Sequence, residues 1–198
     1  GLLIFMGSIS NLNFRIHTLR IYPMKLIFRT FVWIIRGTPL MLQLIIIYYG
    51  PGIIFDNNWW GSGATGRFVA AMIAFILNYA CYFSEIYRGG IESISKGQYE
   101  AGYVLGLTKK QIFRNIILKQ VIQRIVPPMS NEIITLIKDS ALANCILVGE
   151  IILMAKELAA NKALIWPLFY TGAFYLIFSG GLTVLFDRLE KKLDYFRG

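Results

Sequence analysis

The 198-residue chain is 56% apolar and 16% charged, with a mean hydropathy of +0.57. A soluble domain carries about a quarter charged residues, so these values exclude an ordinary soluble domain and point to a polytopic membrane protein. The net charge of +9 does not indicate nucleic acid, because the basic residues lie in blocks separated by apolar stretches. That alternation is what the positive-inside rule produces.

The apolar opening, residues 1–9, is too short to span a bilayer and reads as the last turns of a first helix that begins before Gly1. A basic block follows, with Arg15, Arg20, Lys25 and Arg29. The next span is predicted over Phe31–Ile35 and Leu40–Phe55, with Arg36-Gly37-Thr38-Pro39 forming a break within it or at its start. The loop 51–66 carries no Lys or Arg and holds Trp59-Trp60, which suits the outer interface. Phe68–Ile86 reads as a span with Glu85 near its end, and Ile133–Met154 as another, interrupted by Lys138, Asp139 and Glu150. Ala163–Phe186 carries no charge at all and exceeds the roughly 20 residues that a spanning helix needs. The expected architecture is therefore an all-α bundle of five transmembrane helices, the first truncated, forming a single domain over residues 1–198. Segments 10–30, 88–127 and 187–198 are expected in the cytoplasm, and 51–66 and 156–162 outside. Cys81 and Cys145 fall in apolar stretches and read as small buried hydrophobes.

The basic loop between Phe68–Ile86 and Ile133–Met154 is not disordered in composition. Lys96 to Leu107 reads as a short helix ended by Gly106, a residue type that tolerates positive φ. Thr108 and Gln111 form a capping-box pattern for a second helix, in which Ile112, Phe113, Ile116, Ile117, Val121 and Ile125 share a side. Pro127-Pro128 is expected to stop that helix. Small residues at Ala101, Gly102 and Gly106 allow close approach to a partner surface, and Glu100 supplies a polar anchor; a helix resting on the lipid surface is the plainer alternative.

Glu100-Ala101-Gly102 followed by Gly106 resembles the EAA-x3-G loop of ABC importer permeases. Arg36-Gly37-Thr38-Pro39-Leu40 is similar to the RGTPL of the polar amino acid permeases of the histidine, arginine and glutamine type. Tyr82 to Ile91 resembles that family's AY-x-x-EI-F-RGGI, Lys96-Gly97-Gln98 its KGQ, Pro127-Pro128 its paired prolines, and Leu136 to Ser140 its LLKDT-S. The chain departs from the pattern at Gly102, where the family has Ala, and at Leu147-Val148-Gly149-Glu150, where it has GVPE. The resemblance implies the type I importer permease fold and a transmembrane path for polar amino acids in the bacterial inner membrane. It also implies a coupling loop over 96–127 that seats on an ATPase subunit, with Gln98, Glu100, Ala101, Gly102 and Gly106 as coupling residues. The implied partners are an ATPase dimer, a second permease copy or paralogue, an extracytoplasmic amino-acid-binding protein and the lipid membrane, with no nucleic acid.

Ionisable groups inside a membrane are costly unless paired or facing a wet cavity. Glu85, Lys138, Asp139 and Glu150 are such groups here, and Asn78, Tyr82 and Glu85 share one helix face by their i, i+4, i+7 spacing. All six are candidate substrate-binding residues, although Glu85 with Arg88, or Lys138 with an acid elsewhere, serves equally well as an interhelical clamp. Arg36 is expected at the cytoplasmic interface. No G-x-x-x-x-G-K-[ST] phosphate loop occurs, so ATP and magnesium belong to a partner and this chain is expected to need neither cofactor nor metal. No catalytic motif is visible, which argues against an enzyme. An ion-coupled secondary transporter or channel is the rival function, but such a protein needs no docking helix.

Overall fold

A computed structural model describes residues 18–194, and every regular element among them is helical. In chain order these are α1 (Thr18–Gly37), α2 (Leu40–Phe55), α3 (Ala64–Glu92), α4 (Lys96–Val104) and α5 (Lys109–Ile112). A π-helical turn over Phe113–Ile117 leads into α6 (Leu118–Asp139), and a 3-10 segment over Ser140–Ile146 precedes α7 (Ile151–Lys162) and α8 (Trp166–Asp194).

The break expected at residues 36–39 is present. Pro39 is extended (φ −62°, ψ 136°) and has no N–H to continue the preceding helix, so α1 and α2 meet at 108°. Asp56 then closes α2 in the left-handed region. The chain returns through a turn in which the Trp60 indole donates to the Ile47 carbonyl at 2.7 Å. Gly66 permits this turn, because a Cβ there would lie 1.6 Å from the Trp60 carbonyl oxygen. With 29 residues, α3 is roughly 43 Å long.

Among the described residues two helices, α3 and α8, are long and apolar enough to cross a membrane, or three spans if the bent α1–α2 pair is one. The five-helix expectation is corrected accordingly. Its truncated first span lies outside the described residues, and Ile133–Met154 is not one helix. There α6 ends at Asp139, the 3-10 segment follows, Leu147 turns left-handed (φ 58°) and Glu150 starts α7. Polar residues drive this break: Asn144 turns its amide back onto the Ala141 carbonyl, and the Glu150 carboxylate satisfies free N–H groups of the next helix. Pro127-Pro128 does not stop its helix, as it lies within α6. Proline's φ suits a helix, and the cost falls on the carbonyls of Gln123 and Arg124, which lose their usual donors.

Two separate cores result. One joins Leu40, Leu44 and Tyr48 of α2, Ala70, Ala71, Ala74 and Tyr79 of α3, and Ala143 and Ile146 of the 3-10 segment. The other joins Ile94, Ile112, Ile117 and Val121, with Tyr99 and Leu107 packed on it, beneath α4.

Candidate functional site

The face of α3 that carries Asn78, Tyr82 and Glu85 meets the α1–α2 bend and α6, and it is polar throughout. Asn78 is buried and donates from Nδ2 to Gln43 Oε1 at 3.0 Å. One turn on, the Arg36 guanidinium lies over the Tyr82 ring, 5.2 Å from its centroid. Glu85 pairs with Arg88 at 2.5 Å and with Arg36 at 3.8 Å, and Arg88 also reaches Glu92 at 2.5 Å. Glu85 thus binds the bend to α3 as well as to its own helix, which is the clamp that its spacing allowed.

From α6, Asp139 accepts a hydrogen bond from the Tyr79 hydroxyl at 2.8 Å. Its neighbour Lys138 is exposed, in keeping with the angle between successive helical side chains. Glu150 stands apart from this group. Its carboxylate accepts from Ile152 N at 2.8 Å and Leu153 N at 2.6 Å, so it caps α7. The structure therefore gathers Arg36, Tyr79, Tyr82, Glu85 and Asp139, while Lys138 and Glu150 lie outside that cluster.

Sequence reasoning missed Glu132, which is partly buried and shares the electrostatic field of Arg36 and Asp139. Its seven-residue spacing from Asp139 was the available signal, since i and i+7 share a helix face. It also missed Tyr79, which stands one residue off the Asn78–Tyr82–Glu85 series. The cluster thus brings together three carboxylates, two phenols and the guanidinium groups of Arg36 and Arg88, from three helices. Such a set can bind groups of either sign, and its acids suit an ammonium or guanidinium.

The loop 96–127 has a clear inside and outside. Gly102 faces inward: a Cβ there would lie 2.6 Å from Ile112 Cγ1, so the helix rests on Ile112 through bare backbone. Gly106 takes φ +71° with nothing near its Cβ position, which fits its role in the turn. The Thr108–Gln111 capping box is complete. Burial pushes the Tyr99 phenol above its usual range. Outward lie Gln98, Glu100 and Ala101, with Gln98 also accepting from Gln120 at 3.2 Å. Beside them Tyr103, Val104 and Leu105 are 49%, 88% and 74% exposed, an apolar tip that the motif reading did not single out. Gly90 of α3 accommodates α6 in the same way, since a Cβ there would lie 2.3 Å from Ile125 Cγ2.

Residues 18–195 match the family described as "Binding-protein-dependent transport system inner membrane component". The chain is 38% identical to the L-cystine transport system permease protein of Bacillus subtilis (strain 168), covering 89% of this chain and 74% of that one. It is 35% identical to the glutamine transport system permease protein of Escherichia coli (strain K12), covering 82% and 73%. Among solved structures, an amino acid ABC transporter determined with histidines superposes with a TM-score of 0.80 at 29% identity, covering 96% of this chain and 83% of that one. An inward-facing MetNI methionine ABC transporter shares the fold, with a TM-score of 0.73 at 16% identity over 97% and 86% of the two chains. Sequence, fold and loop agree: the chain belongs to the family of binding-protein-dependent transport system inner membrane components.

Proposed function

We propose that this chain is the membrane-embedded permease subunit of an ATP-driven importer of polar amino acids. The observation that carries this reading is the loop beneath α3 and α6. It folds around a core of its own and leaves Glu100, Ala101, Tyr103, Val104 and Leu105 bare, as a docking surface requires and a self-contained carrier does not. The partner that fits is an ATPase pair that binds ATP and magnesium, with a second permease copy or paralogue beside this one. A substrate-binding protein then delivers cargo from outside. In this reading the chain is one domain, 1–198, that performs no catalysis, sits in the bacterial cytoplasmic membrane and has its C-terminus in the cytoplasm.

Cargo passes the cluster of Tyr82, Asp139 and Glu132, while Glu85 is held as a clamp. Closure of the ATPase pair displaces α4. The Gly102–Ile112 contact leaves no slack between α4 and α5, so the displacement reaches α6, and the Gly90–Ile125 contact carries it to α3. The test is copurification of the ATPase from membranes. Val104→Asp and Gly106→Arg are each expected to release it while the permease stays inserted; retention of the ATPase in both would sink the docking role. Asp139→Asn is expected to cut uptake about tenfold or more with the complex intact, and unchanged uptake would remove Asp139 from the path.

A further inference from the structure

The bend between α1 and α2 leaves a specific physical problem. A helix end needs partners for its last carbonyls, and Pro39 supplies no N–H. Thr38 answers part of it with Oγ1, which lies 3.0 Å from Ile34 O and 3.3 Å from Ile35 O. The rest is answered by Gln43, on the first turn of α2, which is 7% exposed. Its Nε2 lies 2.7 Å from Ile35 O, 3.1 Å from Thr38 O and 2.9 Å from Thr38 Oγ1. Its remaining polar atom, Oε1, accepts from Asn78 Nδ2 of α3. One buried amide thus bridges the end of α1, the start of α2 and the middle of α3.

We infer that Gln43 is a positioning residue that locks the α1–α2 bend against α3 through Asn78, and that Asn78 acts through Gln43 and does not touch cargo. The lock has a defined purpose in this structure. Arg36 stands at the end of α1, and its approach to Tyr82 and Glu85 exists only while the bend keeps its angle. A leucine at position 43 would fill similar space, leave the Thr38 carbonyl and the Asn78 amide without these partners, and leave the Ile35 carbonyl with the Thr38 hydroxyl at 3.3 Å alone. The freed groups would recover partners by opening the bend toward water. The effect would therefore appear as a wider range of bend geometries and not as a vacancy in a binding pocket.

The inference rests on the transport reading only for its kinetic assay. The assembled transporter, with Cys81 and Cys145 replaced by alanine, carries spin labels at the exposed positions Ile27 on α1 and Ile76 on α3. Pulsed dipolar distances between them in lipid are expected to be narrow, and to broaden at least about twofold in Gln43→Leu as the freed groups seek partners. In uptake assays with the same protein, Gln43→Leu is expected to lower the maximal rate about tenfold with KM within about twofold of the parent. Asn78→Leu should move both readouts the same way, and the double variant should be no worse than Gln43→Leu alone, because the two residues act as one unit. If Gln43→Leu does not assemble, Thr38→Val removes a single partner of the same amide and should broaden the distances to a lesser degree. Unchanged distances in the variants overturn the lock. So does a raised KM for Asn78→Leu at an unchanged maximal rate, which would place Asn78 on the cargo. A chain that imports nothing would fail the uptake assay in its parent form, whereas the distances would still decide the lock.

Discussion

The two cores of this chain are built from different materials. Between α2, α3 and the 3-10 segment, Leu40, Leu44 and Ile146 are set among small and polar residues, Ala70, Ala71, Ala74, Ala143, Asn78 and Gln43, and two tyrosines. Beneath α4 they are branched aliphatics: Ile94, Ile112, Ile117 and Val121. The solvent explains the contrast. Lipid tails are as apolar as leucine, so helices gain little by hiding leucine from them; close backbone approach and interhelical hydrogen bonds hold them instead. The loop, outside the spans, folds by withdrawing methyl groups from water. One chain thus follows two rules of assembly, and the boundary between them falls where Gly90 meets Ile125.

The comparison can be broken most severely from the loop side. Ile117 is fully buried, and Ile117→Ala is expected to cost about 2–5 kcal/mol of loop stability. Protease cleavage within residues 96–127 should rise while the spans remain protected; equal protection in variant and parent would contradict a water-driven core. Ala74→Leu in the bundle comes next. Ala74 is completely buried, and overpacking there should cost about 1–3 kcal/mol, seen as a lower melting temperature in detergent with the loop unaffected. Thr108→Ala removes an N-cap outside the membrane and should destabilise the loop by about 1 kcal/mol, detectable as faster amide exchange over residues 108–112. The smallest change is expected from Glu92→Gln, which breaks an exposed pair with Arg88 worth at most about 1 kcal/mol; a large loss of stability would show that the pair is structural.

What could be read from the sequence follows the same division. Loop structure was legible down to the cap, because Gly106, Thr108 and Gln111 act on backbone within a few residues of themselves. The bend at Pro39 was legible for the same reason. The break after Asp139 was not, because hydropathy averages over the window that would reveal it and cannot tell a capping Glu150 from a cargo-binding one. Glu132, Tyr79 and the Gln43–Asn78 bond depend on which faces meet across three helices, and one-dimensional periodicity gives the face but not its partner. Pro127-Pro128 misled because a proline pair breaks a helix in water more surely than inside a packed bundle, where neighbouring groups take up the freed carbonyls.

One contact at the far end of the chain has a practical use. Gln123 of α6 donates from Nε2 to the Leu193 carbonyl at 2.9 Å, fastening the last turn of α8 to the helix that continues the loop. A fluorophore at Lys192, which is exposed, would ride on that fastening. Its anisotropy would follow the loop's movements during turnover without any label on the docking face. Gln123→Ala would serve as the control, cutting the reporter loose while leaving Tyr103, Val104 and Leu105 untouched.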